Sequence, residues 1–142
     1  MSLFNILDIA GSSMSAQSIR LNTTASNLAN ADSISSSAEN TYRARRPIFA
    51  TMYQDALNGS QQLGSASVKV EDVVESTLDS IKEYNPNHPL ADSDGYIYRP
   101  NVNAVEEMAD MVSASRSYQT SVQVADSAKQ MLLQTLRLGK NS

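Results

Sequence analysis

The stretch NAVEEMADMVSASRSYQTSVQVADSAKQMLLQTLRL, Asn103–Leu138, decides how the rest of the chain is read. Ala104, Met108, Met111, Ser115, Tyr118, Val122, Ala125, Lys129, Leu132 and Leu136 follow one another at alternating steps of four and three. That spacing is the heptad seam of a long helix, interrupted by Ser115 and Lys129. Pro100 ends whatever precedes it. Asn103 can accept a hydrogen bond from a first-turn amide and Glu106 can reach back, the pattern of a capping box. Gly139 predicts the stop, with Arg137 and Lys140 complementing the negative end of the helix dipole. About 35 residues make a rod of roughly 50 Å, more than a domain of this size covers alone, so a partner helix is required.

Leu3–Asn30 supplies it. Leu7, Met14, Leu21 and Leu28 fall at intervals of seven, with Leu3, Ala10 and Ala25 beside them and Gln17 and Thr24 as polar interruptions. The other face carries Ser12, Ser13, Ser15, Ser18, Asn22, Thr23, Ser26 and Asn27, and Asp8 and Arg20 are the only charges before Asp32. A helix standing in water usually displays Glu and Lys pairs, whereas small hydrogen-bonding residues suit close packing. This face is therefore expected to lie against neighbouring subunits. Because Ser, Thr, Asn and Gly11 are weak helix formers, ordering is expected to accompany assembly.

Asp32–Asn40, DSISSSAEN, ends the first helix with turn-prone residues. Thr41–Tyr53 mixes aromatic, branched and basic residues around Pro47. It reads as an edge strand or bend whose Arg43, Arg45 and Arg46 point to water or lie against a neighbouring acidic surface. Gln54–Ser67 reads as a loop, with a turn at Asn58-Gly59-Ser60. Val68–Val74 suggests a short strand, Ser76–Tyr84 a strand or a helical turn, and Asn85–Pro89 an irregular segment. Asp92-Ser93-Asp94-Gly95 predicts a tight turn before a brief extended run, Tyr96–Tyr98. The fold class expected is mainly α with a small β-rich middle, its long N- and C-terminal helices paired as an antiparallel coiled coil. Residues 1–32 and 101–142 form the helical domain and 33–100 a loop and β-rich module.

Composition narrows the function. The chain has 142 residues, 41% of them hydrophobic but only 6% aromatic, so large anchors for a dense core are scarce. A net charge of −4 argues against a phosphate-neutralising surface and hence against nucleic acid. With no cysteine and a single histidine, His88, thiolate metal sites, disulfides and a multi-imidazole zinc centre have no ligands. His88 lies in a loop without a nucleophile elbow, no glycine-rich phosphate loop occurs, and Glu106 and Glu107 suit a helix first turn better than an acid–base pair. Asp92, Asp94 and Gly95 resemble part of a calcium loop, but Ile97, Tyr98 and Arg99 stand where further oxygen ligands are needed. No enzyme activity, cofactor, metal or small-molecule substrate is expected. Met1–Ala10 is apolar but lacks a basic leader and contains Asp8, unlike a usual secretory signal, and no apolar run is long enough to span a bilayer.

Two segments carry a family likeness. LNTTASNLANADS, Leu21–Ser33, resembles the N-terminal signature of bacterial flagellar rod and hook proteins, and NVNAVEEM, Asn101–Met108, continued by SASRSYQ, Ser113–Gln119, resembles their C-terminal one. The matching positions are Asn27, Ala29, Asn30, Asn101, Val102, Asn103, Glu106, Arg116 and Tyr118. A Ser-rich stretch stands where the general family has a Thr-x-Gly-Tyr turn. That departure, with Tyr42–Pro47 and Asn87–Asp92, is similar to the proximal-rod branch. The resemblance implies a subunit of the basal-body rod, exported from the cytoplasm through the flagellar type III apparatus without a cleavable signal and assembled helically in the periplasm to transmit torque. It implies as partners proximal and distal rod proteins, copies of the chain itself, the junction with the MS ring and the surrounding ring. Leu7, Met14, Leu21 and Leu28 would then face Met108, Met111, Tyr118, Val122, Leu132 and Leu136, with the Ser and Asn face against adjacent subunits. The alternative from another class is a soluble helical adaptor or export-linked binding protein.

Overall fold

A computed structural model describes residues 3–53 and 66–140. The expected turn at Asn58-Gly59-Ser60 and most of the loop around it lie outside the described residues. Helix α1 spans Leu3–Asn30 and helix α2 Ala104–Lys140, and between them run β1 (Arg45–Tyr53), β2 (Ala66–Glu75), β3 (Ile81–Tyr84) and β4 (Tyr96–Arg99). The strands form two two-stranded sheets, β1 with β2 and β3 with β4. Both helices, the strand at Val68–Val74 and the extended run at Tyr96–Tyr98 were expected, and the open choice at Ser76–Tyr84 resolves as irregular chain over 76–80 and strand over Ile81–Tyr84. Among the described residues no helix is long and apolar enough to cross a membrane.

Three expectations about helix ends and faces need correction. Asn103 caps α2, its Oδ1 accepting from the amides of Val105 at 3.1 Å and Glu106 at 3.4 Å. The reciprocal half of the capping box is not made, because the Glu106 carboxylate pairs with Arg46 at 3.1 Å, where a full charge outbids a backbone amide. Gly139 does not end α2, which continues to Lys140; Gly95 is the one described glycine at positive φ. The third correction concerns the Ser and Asn face of α1. Thr23 and Asn27 are buried within the chain and Ser13 bonds to Ser121, so these three do not lie outward.

The chain divides into two compact units. One comprises Arg20–Pro47 and Val73–Val112. Its β3–β4 hairpin is antiparallel, pairing Ile81 with Arg99, Lys82 with Tyr98, Glu83 with Ile97 and Tyr84 with Tyr96. Ser35 bridges to the other edge of β4 through two bonds with Tyr98, so Ile97 is held between neighbours and becomes the largest fully buried side chain among the described residues. The turn before β4 is set by Asp92. Its Oδ1 accepts from the amides of Asp94 at 3.0 Å and Tyr96 at 2.8 Å, and its Oδ2 accepts from the Tyr98 hydroxyl at 3.2 Å. Gly95 completes the turn at φ 81°, where a Cβ would meet Tyr84 Cε2 at 3.0 Å and Pro86 Cβ at 3.1 Å. His88 has an equally local task, its Nδ1 accepting from the Leu90 amide.

The other unit comprises Met1–Ile19, Ile48–Asp72 and Ser113–Ser142. Its buried residues are small: Ala10, Ala16, Ala114 and Ala128. Side chains of this size let two helix backbones approach closely.

Candidate assembly surface

In the Arg20–Pro47 and Val73–Val112 unit, α1 is tied to the segment entering β1 chiefly by one side-chain amide. Asn27 is 1% exposed. Its Nδ2 donates to the Arg45 carbonyl at 2.9 Å, and its Oδ1 accepts from the Arg45 amide at 2.8 Å and from the Tyr42 hydroxyl at 2.9 Å. The side chain thus pairs with both backbone groups of one residue, as a neighbouring strand would. The Tyr42 hydroxyl also meets Ser26 Oγ at 3.1 Å, and the Arg45 guanidinium lies over the Tyr42 ring. A mid-helix Asn is a weak helix former; here its reason is that a helix face must satisfy a strand's backbone.

The same unit holds a charge cluster at the start of α2. Arg46 reaches Glu106 at 3.1 Å, Glu107 at 3.8 Å and Asp110 at 3.8 Å, while Arg20 of α1 pairs with Asp110 at 2.8 Å. Glu107 is only 2% exposed. The acidic surface facing the basic segment therefore lies on this chain's own α2. Arg45 pairs with Glu75 at 3.3 Å, and Arg43 is exposed. Asp92 is held below the usual carboxylate range, chiefly by the Tyr96 amide, with help from the Asp94 amide, the Tyr98 hydroxyl and the Lys82 charge and with burial opposing. All its bonds are spent on its own turn. Among the described residues no group of three His, Asp or Glu side chains could hold a metal ion.

In the unit containing both chain ends, Ser121 donates to the Ser117 carbonyl at 3.0 Å, so its 2.9 Å contact with Ser13 is one in which Ser13 donates. Ser12 donates to the Ile9 carbonyl and accepts from the Val68 amide at 3.3 Å, which brings β2 to α1. Beside these contacts lies an open apolar groove of about 250 Å³, lined by Ile6, Ile9 and Ala10 of α1 and by Thr120, Ser121 and Val124 of α2.

The large residues of the two heptad seams take positions of partial burial. Leu7, Met14, Leu21 and Leu28 are half-buried, as are Met111, Val122 and Leu132, whereas Met108, Tyr118 and Leu136 are exposed, Leu136 at 63%. The most buried positions of α2 are Glu107, Ala114 and Ala128, spaced by seven and fourteen and lying one residue before Met108, Ser115 and Lys129. The signature positions have distinct tasks. Asn27 clamps Arg45, Asn30 donates to the Ser26 carbonyl, Asn103 caps α2 and Glu106 pairs with Arg46. Val102 is half-buried, and Ala29, Asn101, Arg116 and Tyr118 are exposed, available to something outside the chain. Arg20, Tyr42 and Asp110 were not singled out as site residues from the sequence. Arg20 had a signal as one of only two charges before Asp32, whereas Asp110 is one of several charges on α2 and had none.

A chain whose buried contacts join helix ends and whose large apolar residues remain exposed has the surface of an assembly component. Its relatives say of what. Residues 7–33 match the family model described as flagella basal body rod protein, and residues 93–138 match that of the flagellar basal body rod FlgEFG protein C-terminal. The chain is 47% identical over 140 residues to the flagellar basal-body rod protein FlgC of Escherichia coli O6:H1, covering 99% of this chain and 100% of that one. It is 47% identical to FlgC of Salmonella typhimurium with the same coverage. It is 31% identical over 151 residues to FlgC of Bacillus subtilis, again across 99% and 100% of the two chains. The chain belongs to the FlgC family of flagellar basal-body rod proteins and is a structural subunit of the flagellar basal body.

Proposed function

We propose that this subunit sits in the proximal rod and transmits torque across the periplasm by packing helically with other rod proteins and with copies of itself. The observation that carries the reading is likeness to FlgC along the whole chain, joined to a set of large apolar residues that one chain leaves exposed. Torque then passes through interlocked side chains, a task that needs repeated contacts rather than a reactive group.

In this reading the terminal helices, 1–32 and 101–142, pair as an antiparallel coiled coil, and residues 33–100 form a central loop and β-rich module facing outward. Ser13 with Ser121 and Arg20 with Asp110 support that direction, because the partner numbers fall on α2 as they rise on α1. Leu7, Met14, Leu21, Leu28, Met108, Met111, Tyr118, Val122, Leu132 and Leu136 serve packing within and between subunits. The remaining partners are the junction with the MS ring, the surrounding ring, and the flagellar type III apparatus that exports the chain without a cleavable signal. The names of the full-length relatives favour the rod over the adaptor.

The deciding experiment is mass spectrometry of detergent-extracted, high-salt-washed flagellar basal bodies from the source organism. Recovery of the chain in fixed ratio to other rod components is expected. Its recovery in the soluble fraction alone would remove the rod reading and restore the adaptor.

A further inference from the structure

We propose that a small polar pocket walled in part by Arg43 binds a single carboxylate group. The pocket lies within the Arg20–Pro47 and Val73–Val112 unit and has a volume of about 10 Å³. Three separate segments wall it: Thr41 to Ala44 ahead of β1, the irregular chain from Ser76 to Ser80 between β2 and β3, and Asn101 between β4 and α2. Thr41 and Ala44 are buried, and the Ser76 amide donates to the Ala44 carbonyl at 2.7 Å, so two of these segments are fixed to each other. A water-sized atom needs ~10–15 Å³, so one oxygen of a ligand enters at a time.

What that oxygen meets decides its chemistry. Arg45 pairs with Glu75 and Arg46 with Glu106, Glu107 and Asp110, whereas Arg43 has no carboxylate partner among the described residues. The Ser76 hydroxyl accepts from the Leu78 amide at 3.2 Å and keeps its own proton to give. The Ser80 hydroxyl and the Asn101 amide also have protons to give, and neither is spent on another described residue. The wall therefore offers one positive charge and several donors, with no acidic side chain among its described residues. A water there would have to place its own two protons as well as accept, whereas an ionised carboxylate only accepts. A guanidinium is also a planar fork that matches the two oxygens of a carboxylate. Because Arg43 is exposed, the fork can hold one oxygen outside while the other enters. Its single charge balances one carboxylate and leaves a phosphate dianion unmatched.

The test titrates sodium formate, the smallest carboxylate, into the isotope-labelled full chain, against sodium chloride at equal ionic strength. The Tyr98 amide, bonded to Ser35, reports that the unit is folded throughout. Saturable amide shifts at Ser76, Ser80 and Asn101 are expected with formate and not with chloride. Arg43→Gln should weaken the binding about tenfold or more, the loss of a charge-assisted hydrogen bond, and Arg43→Lys, which keeps the charge without the fork, should fall between. Ser80→Val fills the pocket but leaves the guanidinium, and should abolish the response. A response no larger than that to chloride would reduce the pocket to a water site. A response that survives Ser80→Val, or that inorganic phosphate reproduces, would reduce it to an exposed guanidinium attracting any anion. Either result overturns the proposal. Washed basal bodies then distinguish the source of the carboxylate: depletion of Arg43→Gln relative to the unsubstituted chain assigns it to an Asp or Glu of a neighbouring chain, and equal retention assigns it to a free acid.

Discussion

The unit around Asn27 and the unit around Ser13 both bury parts of α1 and α2, yet they do so by different means. Around Asn27 the contacts are directional and largely polar: an amide paired with one residue's backbone, and an arginine facing three carboxylates. Around Ser13 the buried residues described are alanines, a serine pair joins the two helices, and an apolar groove stays open. Directional bonds are completed inside one chain and fix its register. Small apolar contacts bring helices close but leave large neighbours such as Leu136 for outside partners. The difference separates what makes the subunit one shape from what makes it join others.

The sharpest way to break this contrast is Asn27→Ala. The variant leaves the Arg45 amide and carbonyl and the Tyr42 hydroxyl without their shared partner in a buried place, and each orphaned group costs about 1–3 kcal/mol. A loss of about 2–4 kcal/mol in the urea unfolding of the purified chain is expected. Asn27→Asp keeps the acceptor but sets a carboxylate oxygen against the Arg45 carbonyl in a buried place, and should cost at least as much. An unchanged midpoint for both variants would mean that the clamp adds nothing to stability.

Much of this architecture is legible in the sequence. The heptads of Leu7–Leu28 and Met108–Leu136 mark both helices, and Asp92–Gly95 marks its turn because carboxylate, amide and left-handed glycine act within four residues. What is not legible is the phase of burial. A heptad says that a stripe is apolar, not whether it meets the same chain or another one. The large residues suggested a seam through Met108, whereas the chain's own burial runs through Glu107, Ala114 and Ala128. Glu106 shows a second limit, since its choice of Arg46 over the Asn103 amide depends on residues about 60 positions apart in sequence. Asn27 was readable as a signature position, but its strand-like pairing with Arg45 requires knowing where β1 begins.

In the other unit the corresponding test is to overfill the close contact. Ala114 is fully buried, and Ala114→Leu adds volume where two helices meet through alanine and serine. Overpacking of this kind costs about 1–3 kcal/mol. The far-UV circular dichroism thermal midpoint should fall, and the variant should be depleted from washed basal bodies. Ala114→Ser, similar in size, should stay near wild type. A tolerated leucine would show that the helices are not held closely at this position.

A smaller effect of opposite sign is expected at Gly11. It sits inside α1, and a Cβ built there meets nothing within 4 Å. Glycine in a helix interior costs about 0.5–1 kcal/mol relative to alanine, so Gly11→Ala should stabilise the isolated chain by that amount and raise its helix content. If assembly brings a neighbour's backbone to this point, the same variant will enter basal bodies less well despite being more stable. Gain in solution with loss in the rod would extend the contrast between the units to a single residue.

The smallest effect expected is at Asp92, back in the directional unit, and it depends on pH. Because the folded turn holds this carboxyl below its ordinary value of 3.8, the unfolded chain takes up a proton before the folded one does. The stabilisation is therefore fully present above that value and is lost as pH falls through it toward the lower folded pKa. Asp92→Asn keeps an oxygen for the Asp94 and Tyr96 amides but cannot titrate. The difference in thermal midpoint between wild type and variant should be steady near neutrality and shrink from about pH 5 downward. Taking the difference removes the titration of the chain's other carboxylates, which both proteins share. A difference independent of pH would mean that the turn holds Asp92 by geometry alone, with the bonds from Tyr96, Asp94 and Tyr98 no stronger to the charged form than to a neutral oxygen.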